Sequence, residues 1–406
     1  MTSSGDAPAG TPGGGGWPPL GWQQQTWVPA ASWGLRAEVR PAGTSYRSAV
    51  PARIAALTPR PDAAVAELAE EATQELARFD AEHGARVASF APVLLRSEAA
   101  SSSQIEDLTA SARAIFSAEL GARTGVNAEL VAANTRSMQV AIDLSQRISA
   151  EAVLQVHAVL MAQQPRHSPG QWREEAVWIG ASSDSPVGAA FVAPHHSLVR
   201  DLVDDLVAFS RRQEVPALAS VAVAHAQFET IHPFTDGNGR TGRALAQAML
   251  RYRGVTRTVA VPVSAGLLAD VEGYHQALTA YRGGDVSPIV GAFAEASLRA
   301  VGNARQLVAD IDEIRRAWAE RLTARRDSGA WRLLDVLARR PVLDAATAAH
   351  ELGVRVTNVY PPMRALVEAG IAQSRTEHRL GPFWRSDEVL AAVDSFARRA
   401  GRREAL

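Results

Sequence analysis

Apolar positions recur at intervals of three and four along most of this chain, the period of one helix face. Val65, Leu68, Ala69, Ala72, Leu76 and Phe79 set the pattern and predict a helix from Pro61 to about Val93. A second helix is expected over Ala91 to Ala100. The triplet Ser101-Ser102-Ser103 predicts a break, with helix again from Gln104 to Leu120. Further helices are expected near 128–145 and 149–163, punctuated by Gly121, Gly125 and Asn127, and then at Leu198 to Arg211, Ala217 to Ile231, Arg240 to Tyr252 and Ser287 to Ala300. Between 165 and 197 the pattern changes. Pro165, Pro169, Gly170, Gly180, Pro186, Gly188 and Pro194 crowd together, and two short apolar runs, Ala176 to Ile179 and Ala189 to Val192, predict a small β-hairpin. The expected fold class is therefore mainly α with a small β-hairpin.

The two ends read differently. Residues 1–16 are mostly Gly, Pro, Ser and Thr with little to bury, the pattern of a disordered segment. Trp17, Trp22, Trp27 and Trp33 follow, five or six residues apart, a spacing that fits no single helix face. They predict an extended arm that pins its indoles to the main domain, with a partner-docking segment as the alternative. Asn303 to Arg326 reads as a charged amphipathic linker helix. Residues 330–400 read as a separate unit of three short helices, a hairpin-like stretch and a last helix. The expected divisions are an arm at 1–35, an N-terminal helical region at 36–145, a central domain at 146–302, a linker at 303–328 and a C-terminal unit at 329–406.

Composition narrows the chemistry. The 406 residues suggest two or three domains at about 150 residues each. The 47% apolar content can build a sizeable core. Basic and acidic residues nearly cancel, 42 against 43, which argues against a general polyanion-binding surface. There is no Cys, so disulfides, thiolate nucleophiles and thiolate metal sites are excluded. There is no Lys either, which removes Schiff-base chemistry and the P-loop lysine. No basic residue precedes Arg36, and no apolar run reaches 18 residues. A cytoplasmic protein without a membrane span is the expectation.

One stretch concentrates reactive groups: Thr230-Ile231-His232-Pro233-Phe234-Thr235-Asp236-Gly237-Asn238-Gly239-Arg240-Thr241-Gly242-Arg243. An apolar-periodic helix runs into His232, and Pro233 disfavours helix at the residue before it. Asp236 to Gly239 is a tight-turn sequence able to take positive φ. A second helix then starts near Arg240. A Gly-rich turn entering a helix offers unpaired N–H groups and the positive dipole end, a ready phosphate site. Arg240 and Arg243 can hold phosphate oxygens, Asp236 can reach a Mg²⁺ that bridges phosphates, and His232 is the proton acceptor suited to neutral pH. A calcium loop lacks its further oxygen ligands here, and a Walker A loop lacks its Lys. The stretch reads as a nucleotide-handling site.

These residues resemble the Fic-domain motif, His-x-Phe-x-(Asp/Glu)-Gly-Asn-Gly-Arg-x-x-Arg, at every specified position, and the likeness extends over roughly 45–300. The resemblance implies transfer of AMP from ATP to a Ser, Thr or Tyr hydroxyl of a target protein and of the chain itself. His232 would deprotonate that hydroxyl. Asp236 would hold Mg²⁺. The Gly237, Asn238 and Gly239 amides with the Asn238 side chain would cradle the α-phosphate region. Arg240 would bind the phosphates and Arg243 the γ-phosphate, with Thr241 and Gly242 in the same nucleotide-binding segment. Ser48 to Ala56 and Leu94 to Glu106 resemble the family's N-terminal helical region. Val177-Trp178-Ile179-Gly180 resembles the approach to its flap hairpin, which adds a strand to the target. Tyr274, followed by His275, falls where the family closes over the adenine.

Ser102-Ser103-Gln104-Ile105-Glu106-Asp107 resembles the family's inhibitory motif, Ser/Thr-x-x-x-Glu-(Gly/Asn), departing only at Asp107. The resemblance implies that Glu106, with Ser102, pairs with Arg243 and blocks the γ-phosphate site. Removal of AMP, with Glu106 orienting a water, is the enzymatic alternative. The C-terminal unit resembles a winged helix-turn-helix, for which protein contact or structural support is favoured over DNA binding because Pro361-Pro362 shorten or break its third helix. A DNA-binding regulator with a nucleotide-sensing domain is thus the non-enzymatic alternative. A homodimer is the family-based expectation. His157, His225 and His350 read as structural, and His195-His196 as a loop near the flap.

Overall fold

The computed structural model describes residues 16–27, 43–87, 90–180, 185–377 and 381–401. The low-complexity start, Trp33 of the arm and Ser182 to Asp184 of the hairpin lie outside the described residues. The architecture is mainly helical, with three small antiparallel sheets.

The chain opens with two paired strands, β1 (Gly21–Thr26) and β2 (Ser45–Val50), with Trp22 opposite Ala49. Ser48 to Ala56, expected in a helical region, is instead the end of a strand and a turn. Pro51 lacks the N–H a helix needs and follows a stretch already paired with β1. The arm is tied down as its tryptophans suggested: Trp17 packs on Tyr281 at 5.9 Å and Trp27 meets Trp178 edge-on at 5.8 Å. Trp22 remains 47% exposed.

Four helices follow: α1 (Ala63–Val87), α2 (Ala91–Gln104), α3 (Ala112–Glu119) and α4 (Val126–Asp143). The expected break at Ser101 to Ser103 does not occur. Serine competes with helix through its hydroxyl, yet here Ser103 Oγ donates to the Ala99 carbonyl at 2.8 Å and accepts from Asn134 of α4. The triplet is buried and satisfied inside α2, and the turn comes after it, at Ile105 to Asp107.

The central part contains α5 (Ala150–Leu160), the hairpin β3 (Trp178–Ile179) with β4 (Phe191–Val192), α6 (Val199–Ser210), α7 (Ala217–Ile231) and α8 (Asn238–Tyr252). Two shorter helices come next, α9 (Val263–Leu268) and α10 (Val271–Arg282). Helix α7 is apolar nearly all round and buried along its length, as a central helix must be. It packs against α1, α6, α8, α10 and α11 (Ser287–Arg321).

Helix α11 corrects the expected division at 302/303. It is one uninterrupted helix of 35 residues. Its buried stripe runs on from Ala300 and Val301 through Ala304, Leu307, Val308 and Ile311, so nothing marks a linker. The C-terminal segment adds α12 (Gly329–Arg339), β5 (Val342–Asp344), α13 (Ala345–Leu352), α14 (Tyr360–Glu368), β6 (Gln373–Glu377), β7 (Gly381–Arg385) and α15 (Asp387–Ala400), with sheet order β5-β7-β6. Pro361 and Pro362 occupy the first turn of α14, where a missing N–H costs nothing. This segment is not separate. Helix α15 returns onto α2, α3 and α11: Asp394 accepts from Ala112 N at 2.9 Å, Glu388 from Trp318 Nε1 at 2.9 Å, and Asn303 from Arg399 Nε at 2.6 Å. Among the described residues, no helix is long and apolar enough to cross a membrane.

Candidate active site

The site is a loop between α7 and α8, braced from below. His232 ends α7 in the left-handed region (φ 50°), its N–H still bonded to Phe228 O at 2.8 Å. Five residues later the chain turns again through Gly237 (φ 75°), and α8 begins. The His157 ring lies flat on Phe234, centroids 3.6 Å apart. Its Nδ1 accepts from Gly170 N at 3.0 Å, so Nε2 carries the proton and donates to Asp236 O at 3.1 Å. Burial pushes its pKa down to about 4, which keeps this brace neutral. Arg173 joins the loop to the hairpin. Its guanidinium donates to the His232 carbonyl at 2.7 Å, to Glu175 O at 2.9 Å and to Pro194 O at 2.6 Å.

The start of α8 presents unpaired donors. Its first internal bond is Thr241 N to Gly237 O at 3.0 Å, so the N–H groups of Asn238, Gly239 and Arg240 have no partner within the helix. Arg240 is 4% exposed, and its Nε and Nη1 lack any hydrogen-bond partner; Nη2 stands 3.5 Å from Asp236 Oδ1. A buried cation left this incompletely paired is costly unless an anion completes it. Asp236 is half-exposed. Its Oδ1 accepts from Gly237 N at 2.6 Å, and its Oδ2 lies 3.5 Å from His167 Nε2. No group of three or more His, Asp or Glu is arranged to hold a metal among the described residues. One carboxylate beside an open anion site fits Mg²⁺, which takes its other ligands from phosphate and water.

Arg243, three residues beyond Arg240, is held through two of its nitrogens. Its Nε donates to Ser102 Oγ at 2.9 Å, and its Nη2 to Ser102 O and to Glu106 Oε1, both at 2.7 Å. The Glu106 carboxylate lies directly on the start of α8: a Cβ at Gly239 would stand 2.0 Å from Glu106 Oε1. Only a bare backbone at 239 admits it. Burial alone would raise the Glu106 pKa, but Arg243, with Arg240 and His232, outweighs this and lowers it. Asp107 follows in the left-handed region (φ 60°), which Gly takes freely and Asn or Asp more readily than other residues. That conformation gives a physical reason for Gly or Asn at this place in the inhibitory motif, and for Asp as a tolerable substitute.

Residues 147–250 match the family model described as the Fic/DOC family. The chain carries a Fic domain. It is 34% identical over 93 residues to the probable protein adenylyltransferase aq_aa38 of Aquifex aeolicus, which covers 21% of this chain and 29% of that protein. It is 29% identical over 143 residues to the protein adenylyltransferase fic-1 of Caenorhabditis elegans, covering 35% and 26%. The chain thus spans under a third of the length of these curated relatives. A solved Fic family protein from Desulfovibrio desulfuricans G20 shares the fold at a TM-score of 0.50 and 20% identity, over 81% of this chain and 98% of that one.

In and around this site, three of the predicted nucleotide-binding residues, Thr241, Gly242 and Tyr274, need correction, and Asn238 has a second task. The Asn238 carboxamide accepts from Phe234 N and donates to Phe234 O, each at 2.9 Å, so it closes the loop, while its second N–H and its backbone N–H stay available to a ligand. Thr241 and Gly242 sit on other faces of α8, because successive helical residues turn by about 100°. Thr241 is buried beside Ala141 and Val156. Gly242 is the close contact with α7, where a Cβ would come 2.8 Å from Glu229 and 3.0 Å from Phe228. Tyr274 is 3% exposed and hydrogen-bonds His225 Nε2 at 2.6 Å, a core pair with no face for a ligand.

The hairpin assigned as flap is present. Val177 O and Ile179 O accept from Ala193 N and Ala190 N at 3.0 Å, Gly180 turns at φ 70°, and Ile179 is 46% exposed. Trp178 leans on Trp27 of the arm. His195 and His196 follow β4 in a short turn, with His195 Nδ1 2.8 Å from Ser197 Oγ. Sequence reasoning missed the tasks of His157 and Arg173. Their bonds to the loop itself, His157 to Asp236 and Arg173 to His232, span 79 and 59 residues, and their side chains mostly meet backbone atoms, which leave no pattern in the sequence.

Proposed function

We propose that this chain is a protein adenylyltransferase that transfers AMP from ATP to a target hydroxyl, and that Glu106 restrains it. The observation that carries this reading is the incompletely paired Arg240 at the open N-terminus of α8, one loop away from His232, with the protein's own carboxylate lying across the adjoining turn. The unpaired N–H groups and Arg240 take phosphate oxygens. Asp236 would hold Mg²⁺, which supplies charge neutralisation to the phosphates when bound. The target hydroxyl oxygen bonds to the α-phosphorus, the bond from that phosphorus to the pyrophosphate oxygen breaks, and pyrophosphate leaves. The hydroxyl proton goes to His232. Positioning and charge stabilisation supply most of such a reaction's acceleration. The hairpin at Trp178 and Ile179 receives the target segment as an added strand. Glu106 competes with the γ-phosphate for Arg243, one guanidinium for two anions. The C-terminal segment, with its helix–strand–helix–helix–hairpin order, is a winged helix that supports α2 and α11 rather than reading DNA.

The test is to incubate the wild type, Glu106→Gly and Glu106→Gly with His232→Ala with Mg²⁺ and ATP, and to measure added AMP by intact mass. Self-modification strong in the single variant and lost in the double is expected. No AMP on any form or on added protein substrate, with ATP bound, overturns the reading.

A further inference from the structure

Glu229 lies one turn before His232 on α7 and has no part in the chemistry described so far. It is 7% exposed, and its Oε1 has no hydrogen-bond partner. Its Oε2 stands 3.9 Å from His232 Nδ1, and the same Nδ1 is 3.3 Å from the Glu229 carbonyl. Gly242 makes room for it: any Cβ there would come 2.8 Å from Oε1. A buried carboxylate with a free oxygen is expensive, and an apolar side chain would fill this space more cheaply. The carboxylate therefore stands behind the imidazole at a cost in stability.

We propose that Glu229 is a positioning residue for His232, acting through Nδ1. Its carbonyl and carboxylate are both acceptors, so the Nδ1 proton stays on their side and Nε2 keeps the lone pair that takes the hydroxyl proton. When Nε2 gains that proton the ring becomes a cation. The carboxylate can then close from 3.9 Å toward the roughly 2.8 Å of a charge-assisted bond. The catalytic half of this inference rests on the transferase reading; the electrostatic half does not.

The groups that bear on the pair are Arg243 and Glu106 beside the α8 start, Arg282 on α10, Arg173 on the loop before the hairpin, and His225 on α7 with its partner Tyr274. Burial pushes Glu229 up to about 7, with Arg243 opposing. Burial pushes His232 down to about 4, His225 down to about 3 and Tyr274 up, while Glu106 is lowered. Glu229 is thus the member of this set that titrates near neutrality.

Two measurements test the inference. The first follows the His232 ring nitrogens by ¹⁵N NMR between pH 5 and 9 in the wild type and in Glu229→Gln, with His232→Gln used for assignment. The His232 signals should pass through an inflection near pH 7 in the wild type and lose it in Glu229→Gln, while Glu229→Asp keeps one. No inflection in the wild type, or the same inflection in Glu229→Gln, overturns the inference, and neither result depends on AMP transfer. The second compares kcat and KM for ATP in the Glu106→Gly background. Adding Glu229→Gln should lower kcat by about 10- to 100-fold at pH 8, leave KM within about twofold, and remove the rise of kcat through pH 7. An unchanged kcat and pH profile overturns the catalytic half. An inactive Glu106→Gly parent beside a normal NMR inflection removes the transferase reading and leaves the pair standing.

Discussion

Arg240 and Arg243 stand three residues apart on the same helix, equally buried, and differ in one respect. Arg243 spends its guanidinium on Ser102 and Glu106, whereas Arg240 leaves two nitrogens without partners. The Arg240 guanidinium is therefore prepared for an anion from outside, and that of Arg243 already holds an anion from the same chain. The sequence writes both residues as arginines of one motif. Only the placement of α2 separates an open position from a filled one.

Removing the proposed base that both arginines serve gives the largest effect. With Glu106→Gly as parent, His232→Ala should lower AMP transfer by about 10²-fold or more, measured by intact mass, because no neighbouring group replaces the base. Arg240→Ala should weaken ATP binding about tenfold or more by calorimetry, whether Glu106 is present or not. Arg243→Ala should act conditionally. It should weaken ATP binding in the Glu106→Gly parent, and have a much smaller effect where Glu106 already occupies that guanidinium. Equal losses from both arginines in the Glu106-containing protein would erase the distinction between open and filled.

Acid sharpens the same comparison. The Glu106 pKa is lowered in the folded protein, so its pairing with Arg243 contributes stability above the ordinary carboxylate value of 4.5 and loses it as pH falls through the lower folded value. The restraint should hold unchanged from pH 8 to pH 5 and weaken only below that. Protection of the Arg243 guanidinium signals by NMR is the readout. The smallest effect belongs to Asp107→Gly, which removes a side chain from a left-handed position. It should raise stability by about 0.5–1 kcal/mol in chemical denaturation without loosening Glu106.

How legible all this was in the sequence depends on how local each feature is. The loop from His232 to Arg243 was readable because Pro, Gly and the reactive groups are neighbours in the chain. The pairing of Glu106 with Arg243 was readable only through a family resemblance, since the two lie 137 residues apart. The Asn238 carboxamide was legible as a ligand group but not as the tie that closes its own loop through Phe234. Thr241 and Gly242 were misread by treating a helical stretch as a continuous surface. The serines of α2 misled for a different reason: their helix-breaking tendency is real in water and is cancelled by burial against Asn134. The C-terminal elements were legible as elements, but not their docking, which rests on single contacts such as Asp394 with the Ala112 N–H.

One consequence of the unbroken α11 concerns where this molecule can be cut. At 1.5 Å per residue the helix is a rod of roughly 50 Å. Arg305 in its second half pairs with Glu75 and Glu82 of α1, and Leu307, Ile311 and Trp318 are buried farther along it. A fragment ending at residue 302 would keep every residue of the loop from His232 to Arg243. It would also strip the covering from one side of α1 and leave a row of greasy side chains facing water. The smallest piece of this chain that stands by itself is therefore set by the rod and not by the motif.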